Sequence, residues 1–305
     1  MRPANFLLSL LAAFVLTQAV QAQNQPGVDS TGLPGDNFSL QGALELFQKA
    51  SSPEEFEKML NSEDNHVNNL DLNGDGEIDY IKVIDMAEND EHAFVLQVPV
   101  SENESQDIAV IELEKTGKES AVVQIVGDED IYGEQVIVEP NSGAEDESFI
   151  PDMGGSIAHG PAEAHQSAPG IIVNVWFWPT VRYVYAPNYV VWRSPWRRRH
   201  YPGYWKPWRP LGWHAYHPYC VRWHRPFVVV HTHRVARVHR FYTPARVTSV
   251  SVRTRHYATV NGYRVSRTKT TVTGPRGHKA TRTTTTVRGK GGHVKGSKTT
   301  VRRRR

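Results

Sequence analysis

Nine residues carry the most ordered chemistry in this chain: Asp71-Leu72-Asn73-Gly74-Asp75-Gly76-Glu77-Ile78-Asp79. A hard cation such as calcium takes six to eight oxygen ligands, and acidic side chains at alternate positions of a tightly turned backbone converge on one point. Asp71, Asn73 and Asp75 would supply side-chain oxygens, Glu77 its backbone carbonyl, and Asp79 would close the shell directly or through water. Gly76 permits the sharp turn, and Ile78 is placed to pin the loop to a core. The same residue types are also common turn formers leading into a strand. Two further constellations are weaker. Trp192, Arg193, Trp196, Arg197, Arg198, Arg199, Trp205 and Trp208 interleave aromatic faces with guanidinium forks. Such residues can stack on bases or sugars while binding phosphate, sulfate or carboxylate. They can equally pack into a core or onto an acidic surface. In Phe227 to His239 (FVVVHTHRVARVH) a period of two puts His231 and His233 on one strand face, with His239 on the same parity. His-x-His on a strand is a zinc spacing, although no acid or cysteine ligand is nearby in this half of the chain.

The loop resembles EF-hand-type and FG-GAP-type calcium loops over about ten residues, and the resemblance implies calcium as a structural ion. An EF-hand closes with a bidentate acid at its twelfth position, which here is Lys82, and Tyr80-Ile81-Lys82-Val83 reads as a strand where an EF-hand has its exiting helix. Both departures favour the shorter, integrin-type form. Without a bidentate ligand the affinity is expected at about 10⁻⁴ to 10⁻³ M.

The elements that must position these residues fall into two unlike halves. All 32 Asp and Glu precede Gly170, and after residue 22 they are accompanied there by only five Lys or Arg, which makes that part about −27. Residues 171–305 carry 29 Lys or Arg and no acid, and all eight Trp lie between Trp176 and Trp223. These blocks need each other or external counter-charges. Residues 139–170 are rich in Gly, Pro, Ser and Ala and read as a flexible linker; residues 23–37 read as a second, N-terminal linker.

Within 38–138 the pattern predicts an α+β domain. Leu40, Ala43, Leu44 and Phe47 share one helical face, and Ser52-Pro53-Glu54-Glu55 makes a capping box for a second helix. Short runs of period two follow at Tyr80 to Met86, Ala93 to Val100, Ile108 to Glu114, Ala121 to Val126 and Gln135 to Val138, separated by turn residues, which suggests an antiparallel meander. Residues 171–247 show no helical period and read as an irregular, β-rich, partly disordered basic region. Residues 248–305 contain a fifteen-residue repeat, Thr271 to His278 and Thr286 to His293, and read as a disordered basic arm.

At the N-terminus Arg2, the apolar run Phe6 to Leu16 and Val20-Gln21-Ala22 have the layout of a secretory signal peptide over residues 1–22. The run is short of the roughly 20 residues that span a bilayer. The chain is therefore expected to be exported, to periplasm, cell surface or medium, with no transmembrane segment in its mature form. Its basic part resembles the aromatic-basic segments of exported bacterial proteins of uncharacterised role. Cys220 is the only cysteine, so no internal disulfide framework exists. There is no nucleophile elbow, phosphate loop or HExxH, and the expectation is a protein that is not an enzyme. Two functions follow. In one, a calcium-binding protein holds acidic polysaccharide, lipid phosphate or extracellular nucleic acid on its basic half. In the other, a structural self-assembling protein docks its acidic domain on the basic half, within or between chains.

Overall fold

The computed structural model describes residues 30–141, 172–265, 267–273, 279–288 and 294–304. The signal-peptide expectation and most of the central linker lie outside the described residues.

Two short helices open the chain, α1 (Leu40–Lys49) and α2 (Pro53–Leu60), each begun by a serine that accepts a backbone N–H three residues on. Ser52 caps α2 as the sequence predicts. The reciprocal arm slips by one residue, because Glu55 accepts from the backbone N–H of Ser51 at 2.8 Å. Then follow β1 (Lys82–Glu88), β2 (Glu91–Pro99), β3 (Ser105–Gly117), β4 (Ser120–Gly127), the single turn α3 (Glu129–Tyr132) and β5 (Val136–Pro140). From the basic half come α4 (Pro179–Val184), α5 (Trp213–Val221), β6 (Phe227–Val230), α6 (Ala236–Tyr242) and α7 (Val250–Val265). A separate three-stranded antiparallel sheet, β7 (Arg267–Thr273), β8 (Lys279–Arg288) and β9 (Val294–Arg304), ends the chain.

The main sheet has six antiparallel strands in meander order, β1 to β6, so the fold is mixed α and β. Its last strand is not from the acidic half: β6 pairs along β5, with Val138 opposite Val229. At the other edge, residues 192–194 lie against β1, where Asp85 N–H donates to the Trp192 carbonyl at 2.8 Å and Ser194 N–H to that of Val83 at 3.1 Å. Both additions pair backbone groups that the acidic half alone would leave open at the edges of its sheet.

Alternation along the strands gives the sheet two buried faces. One is apolar: Phe94, Leu96, Ile111, Leu113, Val123 and Ile125 pack on Leu44, Phe47, Phe56 and Leu60 of α1 and α2, and on Val181 and Val184 of α4. The other combines Ala93, Val95, Val110, Val126 and Ile137 with Val235, Val238 and Tyr242 of α6 and its approach. On that second face, Glu91, Glu112, Glu114, Gln124 and Glu139 sit among the apolar residues.

Several sequence expectations need correction. Residues 30–37 are not a plain linker, because Leu33 and Asp36 are buried around a 3₁₀ turn at Pro34–Asn37. Glu139 and Pro140 belong to β5 rather than to the linker. The basic region is neither strand-rich nor a separate unit, since it folds by packing on the acidic half. Val235, Val238 and Tyr242 recur at helical spacing and face the sheet, which ends the period-two run at Val230 and starts α6. The tail also departs from a disordered arm. Ser249 Oγ accepts the Val252 N–H at 3.2 Å, an N-cap for α7, and the first three residues of each repeat copy lie at the ends of β7 and β8, the rest of both copies lying outside the described residues. Among the described residues no helix is long and apolar enough to cross a membrane.

Candidate functional site

The loop from Asp71 to Asp79 is shaped by its own side chains. Asp71 accepts the backbone N–H groups of Gly74, Asp75 and Gly76 at 2.6, 3.1 and 2.9 Å. Asn73 Oδ1 accepts from Asp75 N–H, and Asp75 Oδ1 from Glu77 N–H. Gly74 and Gly76 hold φ of 74° and 84°, the left-handed region in which a side chain is strained. Asp79 closes the loop from beneath: its carboxylate accepts the Leu72 N–H at 2.6 Å and the Asn73 side-chain amide at 2.6 Å. Burial raises the Asp79 carboxyl to about 6, against these hydrogen bonds, which lower it. Ile78 is buried, and its N–H donates to the Trp208 carbonyl at 2.8 Å.

Of the arginine and tryptophan residues singled out in the sequence, Arg198 and Trp208 reach this loop and the others lie elsewhere. Arg198 donates to the Val100 carbonyl at 2.7 Å and reaches Asp75 at 3.4 Å. Arg199, at a φ of 63°, lies 3.6 Å from Glu102. Arg255 of α7 donates to the Leu72 carbonyl. Arg193 and Arg197 are exposed, whereas Trp205 is buried beside Tyr80 and Tyr201, and Trp192 packs on the core with its indole N–H towards Glu57. Trp196 and Trp208 are half-buried. Trp192 and Trp205 are thus spent on packing and are not free stacking platforms.

Carboxylates of the acidic half are buried in two ways. Glu57 is reached by neutral donors: Tyr80 Oη at 2.8 Å, Val83 N–H at 2.8 Å, Ser194 Oγ at 2.9 Å and the Trp192 indole at 3.4 Å. Burial holds its carboxyl above the ordinary range. Asp128 and Asp130 instead share Arg246, which sits on Asp128 through Nε and Nη2 and on Asp130 at 2.9 Å, while Arg253 adds a second contact to Asp130 at 3.0 Å. Burial still raises the Asp128 carboxyl despite Arg246 beside it. Arg234 pairs with Glu139 at 2.9 Å, and Arg237 bridges Glu91 and Glu114.

The histidines divide differently from the sequence expectation. His231 is exposed in a bend after β6, outside any strand. His233 and His239 come together across the β6–α6 connection, ring centroids 4.3 Å apart, over the carboxylate of Glu112 on β3. His239 Nδ1 lies 2.7 Å from Glu112 Oε1, and His233 Nε2 contacts Oε2. Among the described residues, this is the only trio of His, Cys, Asp or Glu whose ligand atoms all lie within 4.8 Å of one another, and it could hold a metal ion. Sequence reasoning sought the missing acid in the basic half, but it comes from the opposite half. The available signal was Glu112 itself, flanked by Ile111 and Leu113 in a strand that is buried on both faces.

Cys220 is buried, and burial pushes its thiol up to about 12, so it is an inert packing residue. No family model, curated protein or solved structure matches the chain.

Proposed function

We propose that this is an exported, non-catalytic structural protein whose acidic and basic halves close on one another within one chain, with a calcium loop at the seam. The observation that carries the reading is the origin of β6 in the basic half, which completes the sheet of the acidic half. Arg246, Arg234 and Arg237 then neutralise carboxylates that the sheet buries. An acidic sheet with such a second face is incomplete without the cations that cover it.

The test cuts the full chain at a protease site placed within 142–171. The two pieces are expected to stay associated at physiological salt and to separate only in denaturant. Separation on cutting alone would remove the proposal. Calcium is the structural ion of the reading, supported by the Asp71 to Asp79 spacing and by positive φ at Gly74 and Gly76. Arg198 on Asp75 and Arg255 on Leu72 place positive charge against the loop, which favours weak binding. Millimolar calcium should raise the melting temperature of the wild type and not of Asp75→Ala.

A second reading rests on Arg193 and Arg197, which are exposed, and on the many cations of the tail. Such residues would hold acidic polysaccharide, lipid phosphate or nucleic acid through charge. Loss of all retention of the intact chain on anionic polymer at physiological salt would rule that out.

A further inference from the structure

We infer that Glu112, His233 and His239 form a binding site for a first-row divalent transition metal of the zinc type, at the junction of the two halves and distinct from the calcium loop. The donor set comes first. Two imidazole nitrogens and one carboxylate oxygen suit zinc and its neighbours, whereas calcium and magnesium take oxygen shells.

Geometry supports the assignment. Zinc bonds of about 2.0 to 2.1 Å at tetrahedral angles set neighbouring ligand atoms about 3.3 Å apart. The His239 Nδ1 to Glu112 Oε1 separation of 2.7 Å is a little shorter than that, and all three ligand atoms already lie within 4.8 Å of one another. Side-chain adjustments of about half an ångström would admit the ion.

Each ligand is held by a firm element. Glu112 is on the central strand β3, between Ala93 of β2 and Gln124 of β4. His239 rides on α6, which is anchored to the sheet by Val235, Val238 and Tyr242. His233 belongs to a connection fastened by Gln124. Its side-chain amide donates to the Thr232 carbonyl at 3.0 Å, and its carbonyl accepts the Arg234 and Val235 N–H groups at 2.7 and 3.3 Å.

Electrostatics agree. The nearest guanidinium groups are already engaged, Arg234 with Glu139 and Arg237 with Glu91 and Glu114, so the Glu112 carboxylate is left to the two imidazoles. That carboxylate is wholly buried, while the His233 and His239 side chains are 21% and 25% exposed. An ion would therefore enter from the histidine side, and its fourth position would fall to water. Bound there, it ties β3 of the acidic half to α6 of the basic half.

The experiment uses the full chain, stripped with a chelator and titrated with cobalt(II) as a spectroscopic stand-in for zinc. One equivalent is expected to give the visible d–d absorption of a four-coordinate nitrogen and oxygen site, without a thiolate band, and zinc should displace it while millimolar calcium should not. His239→Gln and His233→Gln should each weaken uptake about 100-fold or more, beyond the roughly 10- to 100-fold cost of losing an outer partner. His231→Ala should leave it unchanged. Glu112→Gln should also abolish the spectrum; if that buried replacement fails to fold, the partly exposed histidine variants, checked by circular dichroism, decide. No stoichiometric spectrum in the wild type, or one that survives both histidine replacements, overturns the site.

Discussion

The two faces of the main sheet are closed by different chemistry. Under α1 and α2, Phe47 meets Phe56 and Phe94 with ring centroids 5.3 and 5.1 Å apart, and the face is closed mainly by apolar burial, with one buried Asp85–His92 pair at 3.0 Å at its β1–β2 end. Under α6, valines are interspersed with Glu91, Glu112, Glu114 and Glu139, each facing an arginine or histidine from the basic half. The first face would remain attractive to many apolar partners. The second is specific, because a wrong partner leaves buried carboxylates unpaired, and that costs more than a lost van der Waals contact.

This contrast can be broken by measurement. On the apolar face, Phe47→Ala should cost about 3 to 5 kcal/mol in denaturant unfolding, the usual range for an aromatic removed from a core. A loss below that of any charge variant would show that the apolar face is not the dominant support. Next comes Arg246→Ala, which removes the guanidinium that pairs with the buried carboxylates of Asp128 and Asp130. About 3 kcal/mol is expected, and pairing it with Asp128→Asn should cost clearly less than the two separate losses added together. Strict additivity would mean that the ion pair contributes nothing beyond its parts.

The smallest effect sharpens the comparison through pH. Glu57 is buried among neutral donors, and burial holds its carboxyl above the ordinary 4.5. The native state therefore binds this proton more tightly than the unfolded chain does. Glu57 costs stability above its folded pKa, and the cost is relieved as pH falls towards 4.5. Glu57→Gln, about 1 kcal/mol less stable at neutral pH through mismatched donors, should lose this slope, so wild type gains on the variant as pH falls. Parallel stability curves from neutral pH to acid would refute the burial argument.

How much of this was legible in the sequence follows from where each segment finds its partners. Helices α1 and α2 and strands β1 to β5 carry local signals, namely the Ser52 cap, the period-two runs and the turn residues between them. Much of the apolar face between α1, α2 and the sheet is also supplied by neighbouring sequence, though Val181 and Val184 of α4 complete it. Loop 71–79 was legible for the same reason. Helix α6 was not, because FVVVHTHRVARVH satisfies a strand period while its Val235 and Val238, with Tyr242 just beyond, also fit helical spacing, and only the sheet beneath decides between them. Glu112 was hidden because alternation marks two faces of a strand without saying which element covers the second one. Its two histidines lie 121 and 127 residues further on, a separation over which spacing carries no information.

The origin of β6 sets an order of events. A chain delivered N-terminus first lays down β1 to β5 early and then presents an open edge along Val136–Pro140 until residues 227–230 arrive. Until then the second face has carboxylates and no cations. Pairing over so long a stretch of chain is slow to form, since loop closure must precede its reward. The carboxylates that make up the seam thus remain in water until the cations of the later half reach them.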